Sequence, residues 1–233
     1  MKLIERRQYL DKLINVLGTP DIKVITGVRR SGKSKLLEAF RAYIESENPD
    51  CNIIQINFNL PDFDDLLTYR ALYDYVNAHY VAGKENFVFI DEVQMCEDFE
   101  KAVNGLHASE KYDIYITGSN AYFMSGDLAT LLSGRYVELK MLPLSFQEYY
   151  EASSLKANHS LQEIYEHYIT ESSFPYTLQL NGRQQDINEY LLGLYNTVIL
   201  KDVVGRLHIN DVKMLESIVK YLFANVGSLL SIR

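Results

Sequence analysis

Two short clusters of residues in this sequence have the types and spacing that phosphate chemistry requires. The first is Gly27-Val28-Arg29-Arg30-Ser31-Gly32-Lys33-Ser34, which fits the pattern G-x-x-x-x-G-K-[ST]. The two glycines let the backbone curl so that its N–H groups converge on a phosphate group. The lysine supplies a positive charge between the β- and γ-phosphates, and the serine hydroxyl is the expected Mg²⁺ ligand. This spacing therefore predicts a loop that binds a nucleotide through its phosphates.

We expect the whole loop and the residue that follows it to contact the nucleotide. The predicted nucleotide-binding residues are Gly27, Val28, Arg29, Arg30, Ser31, Gly32, Lys33, Ser34 and Lys35. The two arginines allow two interpretations: they reach a phosphate or a partner, or they are solvated loop residues whose charges contribute little.

The second cluster is the acid pair Asp91-Glu92, which directly follows the apolar run Phe87-Val88-Phe89-Ile90. An apolar run of this kind is typical of a buried parallel strand, and parallel sheets bind ligands beyond the carboxyl ends of their strands. Asp91 is predicted to hold Mg²⁺ together with Ser34. Glu92 is predicted to orient or deprotonate the water that attacks the γ-phosphate.

The acid pair also indicates the class of nucleotide-binding protein. GTPases and related kinases would show a D-x-x-G or an N-K-x-D motif, and this sequence has neither at the required places. An adjacent Asp-Glu pair is instead typical of the ATPase branch that carries its own catalytic glutamate. A further run, Tyr115-Ile116-Thr117-Gly118-Ser119-Asn120, ends in small polar residues. Ser119 or Asn120 senses the γ-phosphate or holds the water, or the turn serves only structure.

The elements that must position these residues follow an alternating rhythm of short β-rich runs and helix-like stretches. Such a rhythm predicts an α/β fold with a parallel sheet and crossover helices on both faces. The predicted strands are Lys23–Gly27, Asn52–Phe58, Asn86–Ile90, Tyr112–Thr117 and Tyr136–Leu142. The predicted helices are residues 3–17, Ser34–Ile44, Ala71–Val81, Leu161–Ile169, Ile187–Val204 and Val212–Phe223.

The pattern becomes wholly helical after Pro143, so we predict a core domain over residues 1–145 and a helical region over residues 146–233. The last residues, Ser228–Arg233, resemble a new element that stops after about one turn, which suggests a truncated chain. Helix 3–17 carries Arg6, Arg7 and Lys12, which dock on a partner or form a solvated polar face.

Composition restricts the cellular setting and the partners. The 233 residues are 47% hydrophobic and 23% charged, which is typical of a globular protein. The net charge of −8 provides no overall basic field for nucleic acid or an anionic membrane. The two cysteines stand far apart, and no stretch approaches the roughly 20 apolar residues of a membrane span. We therefore predict a cytoplasmic protein that does not enter a membrane.

Four stretches together resemble one family: GVRRSGKS, FIDEVQ, ITGSNAYFMSGDLATLLSGRYVELKMLPLSFQEYY and ILKDVVGR. They are similar to the AAA-type P-loop ATPases of bacteria and archaea that usually carry a C-terminal domain related to restriction endonucleases. These lie near the signal-transducing ATPases with numerous domains. The resemblance implies a five-stranded P-loop NTPase core with the P-loop strand central, followed by a helical lid and a winged-helix-like segment.

The resemblance also implies roles for individual residues. Asn120 matches the sensor position, and Arg135 matches an arginine that meets the γ-phosphate in cis or from a neighbouring subunit. A surface ion pair is the alternative for Arg135. Four further residues match without a physical role that we can assign: Gln94, Lys201, Asp202 and Arg206.

Two departures from the family pattern stand out. Ser172-Ser173-Phe174-Pro175 lies where relatives tend to have Gly-Gly before Phe-Pro, which puts a flexible hinge there in doubt. Family members also usually continue well beyond residue 233, so we expect no nuclease-like domain and no nuclease activity in this chain.

The sequence leaves open two main functions, both of which use ATP or ADP with Mg²⁺. The first is ATP hydrolysis that drives a conformational change of the helical C-terminal region. The second is a nucleotide-gated regulatory module with negligible turnover. A small-molecule kinase is a weaker third hypothesis, because no acceptor-binding motif is visible. Self-association is possible if Arg135 acts between subunits, and the choice between a protein and a nucleic-acid partner stays open.

Overall fold

The computed structural model describes residues 4–119, 123, 130–180, 182–198, 203–204, 209 and 211–228. The chain divides into two compact units, Met1–Ile187 and Asn188–Arg233. The first unit contains the whole sheet and also the first helices that follow it. This division does not coincide with the predicted boundary at residue 145, which stays a prediction.

The first unit is built on a five-stranded sheet whose neighbouring strands all pair in parallel. The strands are β1 (Ile22–Gly27), β2 (Asn52–Asn57), β3 (Asn86–Asp91), β4 (Asp113–Ser119) and β5 (Tyr136–Met141). Their order across the sheet is β2-β3-β4-β1-β5, which confirms the predicted parallel α/β architecture. The expectation that the P-loop strand is central needs correction, because β4 occupies the middle and β1 lies between β4 and β5.

Four helices cover the two faces of the sheet: α1 (Arg7–Asn15), α2 (Lys33–Glu47), α3 (Tyr69–Ala78) and α4 (Phe99–Ala108). Side chains alternate along a strand, so neighbours in β1 enter different cores. Val24 packs in the core that contains residues of α3 and α4, whereas Ile25 packs in the core that contains residues of α1 and α2. All six residues of β1 are buried, which explains why this strand reads as a continuous run without alternation.

The chain after β5 is helical in its described part, as predicted, with no further strand among those residues. The helices are α5 (Phe146–Ala152), α6 (Leu161–Glu171), α7 (Gln184–Thr197) and α8 (Val212–Ala224). Capping boxes begin α5 at Ser145 and α6 at Ser160, which explains where these helices start. The winged-helix-like character stays a prediction. None of the described helices combines the length and apolarity needed to cross a bilayer.

Ser172, at the end of α6, adopts a backbone conformation that normally belongs to glycine. Its φ is 148° and its ψ is 159°. A side chain in this region of φ/ψ space costs roughly 1–3 kcal/mol. The hydroxyl of Ser172 accepts a hydrogen bond from the N–H of Phe174 at 3.1 Å, which partly offsets the strain. The backbone therefore adopts a glycine-type conformation at a position where relatives tend to have glycine, although the residue is serine.

Arg6 connects three segments of the first unit through a buried guanidinium group. It is only 6% exposed, and its Nε donates to Glu148 Oε1 of α5 at 2.6 Å. Its Nη1 donates to the carbonyl oxygen of Ser31 in the predicted phosphate loop at 3.0 Å. Its Nη2 donates to the carbonyl oxygens of Leu142 and Pro143 at 2.9 and 3.3 Å. Arg6 is therefore not a surface residue available for docking a partner.

The strain at Ser172 can be isolated by comparing Ser172→Gly with Ser172→Ala, since both variants lack the hydroxyl. At an ordinary position glycine is less stable than alanine by roughly 0.5–1 kcal/mol. At residue 172 we expect the reverse order, with Ser172→Gly more stable than Ser172→Ala by about 1 kcal/mol. Urea unfolding of the two variants measures the difference. A higher unfolding free energy for the alanine variant would show that the bend carries no strain.

The buried ion pair predicts a non-additive pattern between Arg6 and Glu148. Arg6→Met leaves the Glu148 carboxylate buried without its partner, so we expect a loss of about 3–5 kcal/mol of unfolding free energy. Adding Glu148→Gln removes the buried charge and keeps a residue suited to the capping box, so the double variant should recover most of the loss. Urea unfolding of both variants tests this. Equal stabilities of the single and double variants would contradict a buried ion pair.

Candidate functional site

The two sequence clusters meet at the carboxyl edge of the sheet because parallel strands all end on the same side. Gly27 ends β1 and pairs with Ser119 at the end of β4. Ile90, the residue before Asp91, pairs with Ile116 on the other side of β4. The structure therefore brings the phosphate loop and the acid pair to one edge with β4 between them. This is where open α/β sheets bind their ligands.

The phosphate loop starts at a place where only glycine fits. A Cβ atom on Gly27 would lie 2.3 Å from the carbonyl oxygen of Met141 in β5 and 3.0 Å from Ser31 Oγ. The first of these atoms belongs to the backbone of a paired strand and cannot move aside. Gly32 has a φ of 106° and begins α2, so the loop leads straight into the positive end of that helix.

The polar groups inside the loop fit a phosphate ligand. Lys33 is 4% exposed, and its Nζ donates to the carbonyl oxygens of Gly27 and Val28 at 3.1 and 3.2 Å. The Ser31 hydroxyl is buried and has no hydrogen-bond partner within the described residues. A buried ammonium group and an unpaired buried hydroxyl at a helix N-terminus are groups that phosphate oxygens can satisfy. The observed loop thus suits the phosphate chain of a nucleotide.

The remaining loop residues have different surroundings. Ser34 is half-buried in the first turn of α2, Arg29 is half-buried, and Arg30 is exposed with a φ of 62°. Lys35 is exposed and its Nζ donates to Glu38 Oε2 on the surface of α2 at 2.6 Å. The Lys35 side chain is therefore engaged along the helix surface and does not join the buried groups of the loop.

The acid pair is held by Thr117 of β4, a residue that the sequence analysis did not single out. The Thr117 hydroxyl donates to Asp91 Oδ1, and Thr117 Oγ1 itself accepts a hydrogen bond from the N–H of Glu92 at 3.0 Å. Asp91 is 4% exposed. Glu92 turns the chain with φ 55° and ψ 48°, and its Oε2 accepts a hydrogen bond from Gln94 Nε2. The signal for Thr117 was a hydroxyl in an otherwise apolar strand, Ile114-Tyr115-Ile116-Thr117.

Of the other predicted site residues, some lie in the part of the chain that the structure describes and some lie outside it. Ser119 is buried at the end of β4, beside the start of the phosphate loop. Asn120 lies outside the described residues, so its sensor role stays a prediction. The same holds for three family-matching residues, Lys201, Asp202 and Arg206.

Arg135 lies at the opposite edge of the sheet from the phosphate loop. Its carbonyl oxygen accepts the N–H of Ile22, the first residue of β1, at 3.0 Å. The six residues of β1 separate this position from Gly27 by about 16 Å. An arginine side chain does not extend that far, so the version in which Arg135 acts in cis needs correction. Its side chain is exposed.

The described residues contain no cluster of three or more His, Cys, Asp or Glu side chains that could hold a metal ion. Mg²⁺ keeps several waters and takes only one or two protein ligands beside phosphate oxygens. Ser34 and Asp91 are oxygen donors of the kind that Mg²⁺ prefers.

Comparison with solved structures shows the same fold in other P-loop proteins. The Walker-type ATPase PABY2304 of Pyrococcus abyssi superposes with a TM-score of 0.58, covering 88% of this chain and 76% of that one at 16% identity. A DNA replication initiation factor superposes with a TM-score of 0.50, covering 88% of this chain and 70% of that one at 14% identity. At such low identity these similarities concern the fold alone.

Sequence comparison identifies relatives in a bacterium and an archaeon. An uncharacterised protein of Haemophilus influenzae is 37% identical and covers 98% of this chain. An uncharacterised protein of Methanocaldococcus jannaschii is 30% identical and covers 97%. The chain spans 58% and 52% of the length of these relatives. Residues 19–150 match the AAA domain, a range that includes both the phosphate loop and the acid pair. The chain therefore belongs to the AAA family and has the fold of a P-loop ATPase.

Proposed function

We propose that this protein binds ATP and ADP with Mg²⁺ and hydrolyses ATP, using Glu92 as the general base. The observation that carries the proposal is the acid pair Asp91-Glu92 at the carboxyl end of β3, with only strand β4 between it and the phosphate loop. Thr117 fixes both acids to that edge. A loop that only held a nucleotide would need the phosphate-binding groups but not a second, separately positioned carboxylate.

Nucleotide binding is assigned to the phosphate loop and the start of α2. Backbone N–H groups between Gly27 and Ser34 bind the phosphates, helped by the helix N-terminus. Lys33 leaves its loop carbonyls and donates to the β- and γ-phosphates. Ser34 and Asp91 would hold Mg²⁺, which neutralises charge that develops on the phosphate oxygens.

Hydrolysis is assigned to Glu92, whose carboxylate takes a proton from the attacking water. The alternative, a regulatory module with negligible turnover, differs from this proposal in rate and not in binding. A P-loop protein without its arginine finger is slower by about 10³ to 10⁵. The position of an arginine at the phosphate therefore decides between the two functions.

We assign that arginine to Arg135 of a second copy of the chain. Its exposed side chain at the amino edge of the sheet lies too far from the phosphate loop of its own chain. A neighbouring copy that packed this edge against the nucleotide would supply the missing charge. Fast hydrolysis on this proposal requires self-association.

The hydrogen bonds of Arg6 offer a route by which the nucleotide can move the helical region. Arg6 contacts the Ser31 carbonyl within the phosphate loop and the Glu148 carboxylate in α5. A shift of the loop when phosphate binds or leaves would change the first contact and strain the second. We propose that hydrolysis alters the position of α5 in this way. A cytoplasmic location fits the composition, and the nature of the partner is a separate question.

The catalytic role of Glu92 is tested with Glu92→Gln, which keeps the size and the hydrogen-bonding ability of the side chain. We expect phosphate release from Mg²⁺-ATP to fall by roughly 10²- to 10⁴-fold, since the variant cannot accept the proton. ATP affinity should change little. The control is Glu97→Gln, an exposed acid in the following loop, which should keep the normal rate. Tight binding with no release from the unaltered protein would favour the regulatory module.

The role of Arg135 in trans is tested by following specific activity against protein concentration. We expect phosphate release per molecule to rise across the range in which copies associate. Arg135→Ala should remove this rise and keep ATP affinity. Arg70→Ala removes an exposed arginine of a surface ion pair and serves as the control. A constant specific activity over the association range would exclude an arginine supplied by a neighbour.

A further inference from the structure

Gln94 is the one family-matching residue without an assigned role that the structure describes, and it touches the proposed base. Its side-chain Nε2 donates a hydrogen bond to Glu92 Oε2. Its side-chain Oε1 is buried and has no hydrogen-bond partner among the described residues. The Gln94 amide therefore contacts the carboxylate of Glu92 through Nε2 and has an unsatisfied acceptor, Oε1, next to that contact.

The backbone around Gln94 holds this arrangement in place. The chain turns at Glu92 with a left-handed conformation and continues as a single 3₁₀ turn, Val93–Met95. The N–H of Met95 donates to the Glu92 carbonyl oxygen at 3.0 Å, and the N–H of Cys96 donates to the Val93 carbonyl oxygen at 3.0 Å. Val93 and Cys96 are both buried in the core, so they anchor the turn on either side of Gln94.

A buried acceptor without a partner is costly, and such atoms in folded proteins call for an explanation. Here the Nε2 end of the amide contacts Glu92 Oε2, and only the Oε1 end is left without a partner among the described residues. An acceptor beside a general base has an obvious use in hydrolysis. The attacking water has two hydrogens, and a base accepts only one of them. A second acceptor is needed to fix the direction of the lone pair that attacks phosphorus.

We propose that Gln94 positions the attacking water together with Glu92, an inference that rests on the proposed hydrolysis of ATP. Gln94 Nε2 holds the carboxylate through Oε2, which leaves Glu92 Oε1 to take one proton from the water. Gln94 Oε1 accepts a hydrogen bond from the second hydrogen of the water, and this hydrogen stays on the water oxygen throughout the reaction. That oxygen bonds to the γ-phosphorus while the bond from phosphorus to the β,γ-bridging oxygen breaks. The products are ADP and phosphate, and the abstracted proton resides on Glu92.

The first test is Gln94→Met, which keeps the length of the side chain and removes both the donor and the acceptor. We expect kcat for phosphate release to fall about 10- to 100-fold, with KM and ATP affinity unchanged within about twofold. Met95→Ala is the matched control, because Met95 is the next residue in the same turn and is 49% exposed. That variant should keep the normal kcat.

A double-variant cycle separates a catalytic role from a structural one. If Gln94 acts through the water that Glu92 activates, then Gln94→Met should cause no further loss in a Glu92→Gln background. Losses that multiply would mean that Gln94 acts elsewhere, and the inference would be wrong. Gln94→Glu is the second probe if Gln94→Met does not fold, since it keeps size and polarity and loses the donor. It too should lower kcat at least tenfold at unchanged ATP affinity.

The outcomes distinguish this inference from the function on which it rests. Full activity of Glu92→Gln, or no hydrolysis by the unaltered protein, would overturn both. Loss of activity in Glu92→Gln with normal kcat in Gln94→Met and Gln94→Glu would overturn only the role of Gln94. Loss in all of them, without multiplication in the cycle and with urea unfolding unchanged, would support both.

Discussion

The site depends on the parallel alignment of three strands whose carboxyl ends lie side by side. Because β4 lies between β1 and β3, the phosphate loop and the acid pair are separated by one strand and face the same edge. Thr117 links β4 to the acid pair directly, since its hydroxyl donates a hydrogen bond to Asp91 and accepts one from the N–H of Glu92. A different strand order would place the same residues at the same edge but at other separations.

Charged groups around the site are buried only where other groups compensate them. Lys33 has loop carbonyls, Asp91 has the Thr117 hydroxyl, and Arg6 has the Glu148 carboxylate. Burial of a charge is costly without such partners, and electrostatic interactions are stronger away from water. The partner of Arg6 is a full opposite charge, which holds its guanidinium group firmly in place.

Two arginines have different roles in the proposed cycle, and they differ in both burial and position. Arg6 is buried and joins the phosphate loop to α5 within one chain. Arg135 is exposed and lies at the far edge of the sheet from that loop. Under the proposed function, Arg6 would link the state of the nucleotide to the helical region within one chain, whereas Arg135 would act on the nucleotide of another copy. The proposal therefore separates conformational coupling from assembly.

The sequence by itself determined the parallel sheet, the phosphate loop, the acid pair and the helical C-terminal region, because each produces a local pattern. The strand runs lie within one or two residues of β1 to β5, and the apolar run that ends at Asp91 is fully buried. The predicted helix Leu161–Ile169 also begins where α6 begins, and the structure shows that a capping box of Ser160 and Glu163 fixes this start.

Only the tertiary structure decided which distant residues meet. Arg6 and Glu148 are 142 positions apart, and Thr117 and Asp91 are 26 apart, so no periodicity relates them. Arg135 is a further example. Its sequence motif predicted contact with the γ-phosphate, but its position just before β5 is too far from the phosphate loop of its own chain. Contacts of this kind depend on strand order and direction, and those are properties of the folded sheet and not of any single segment.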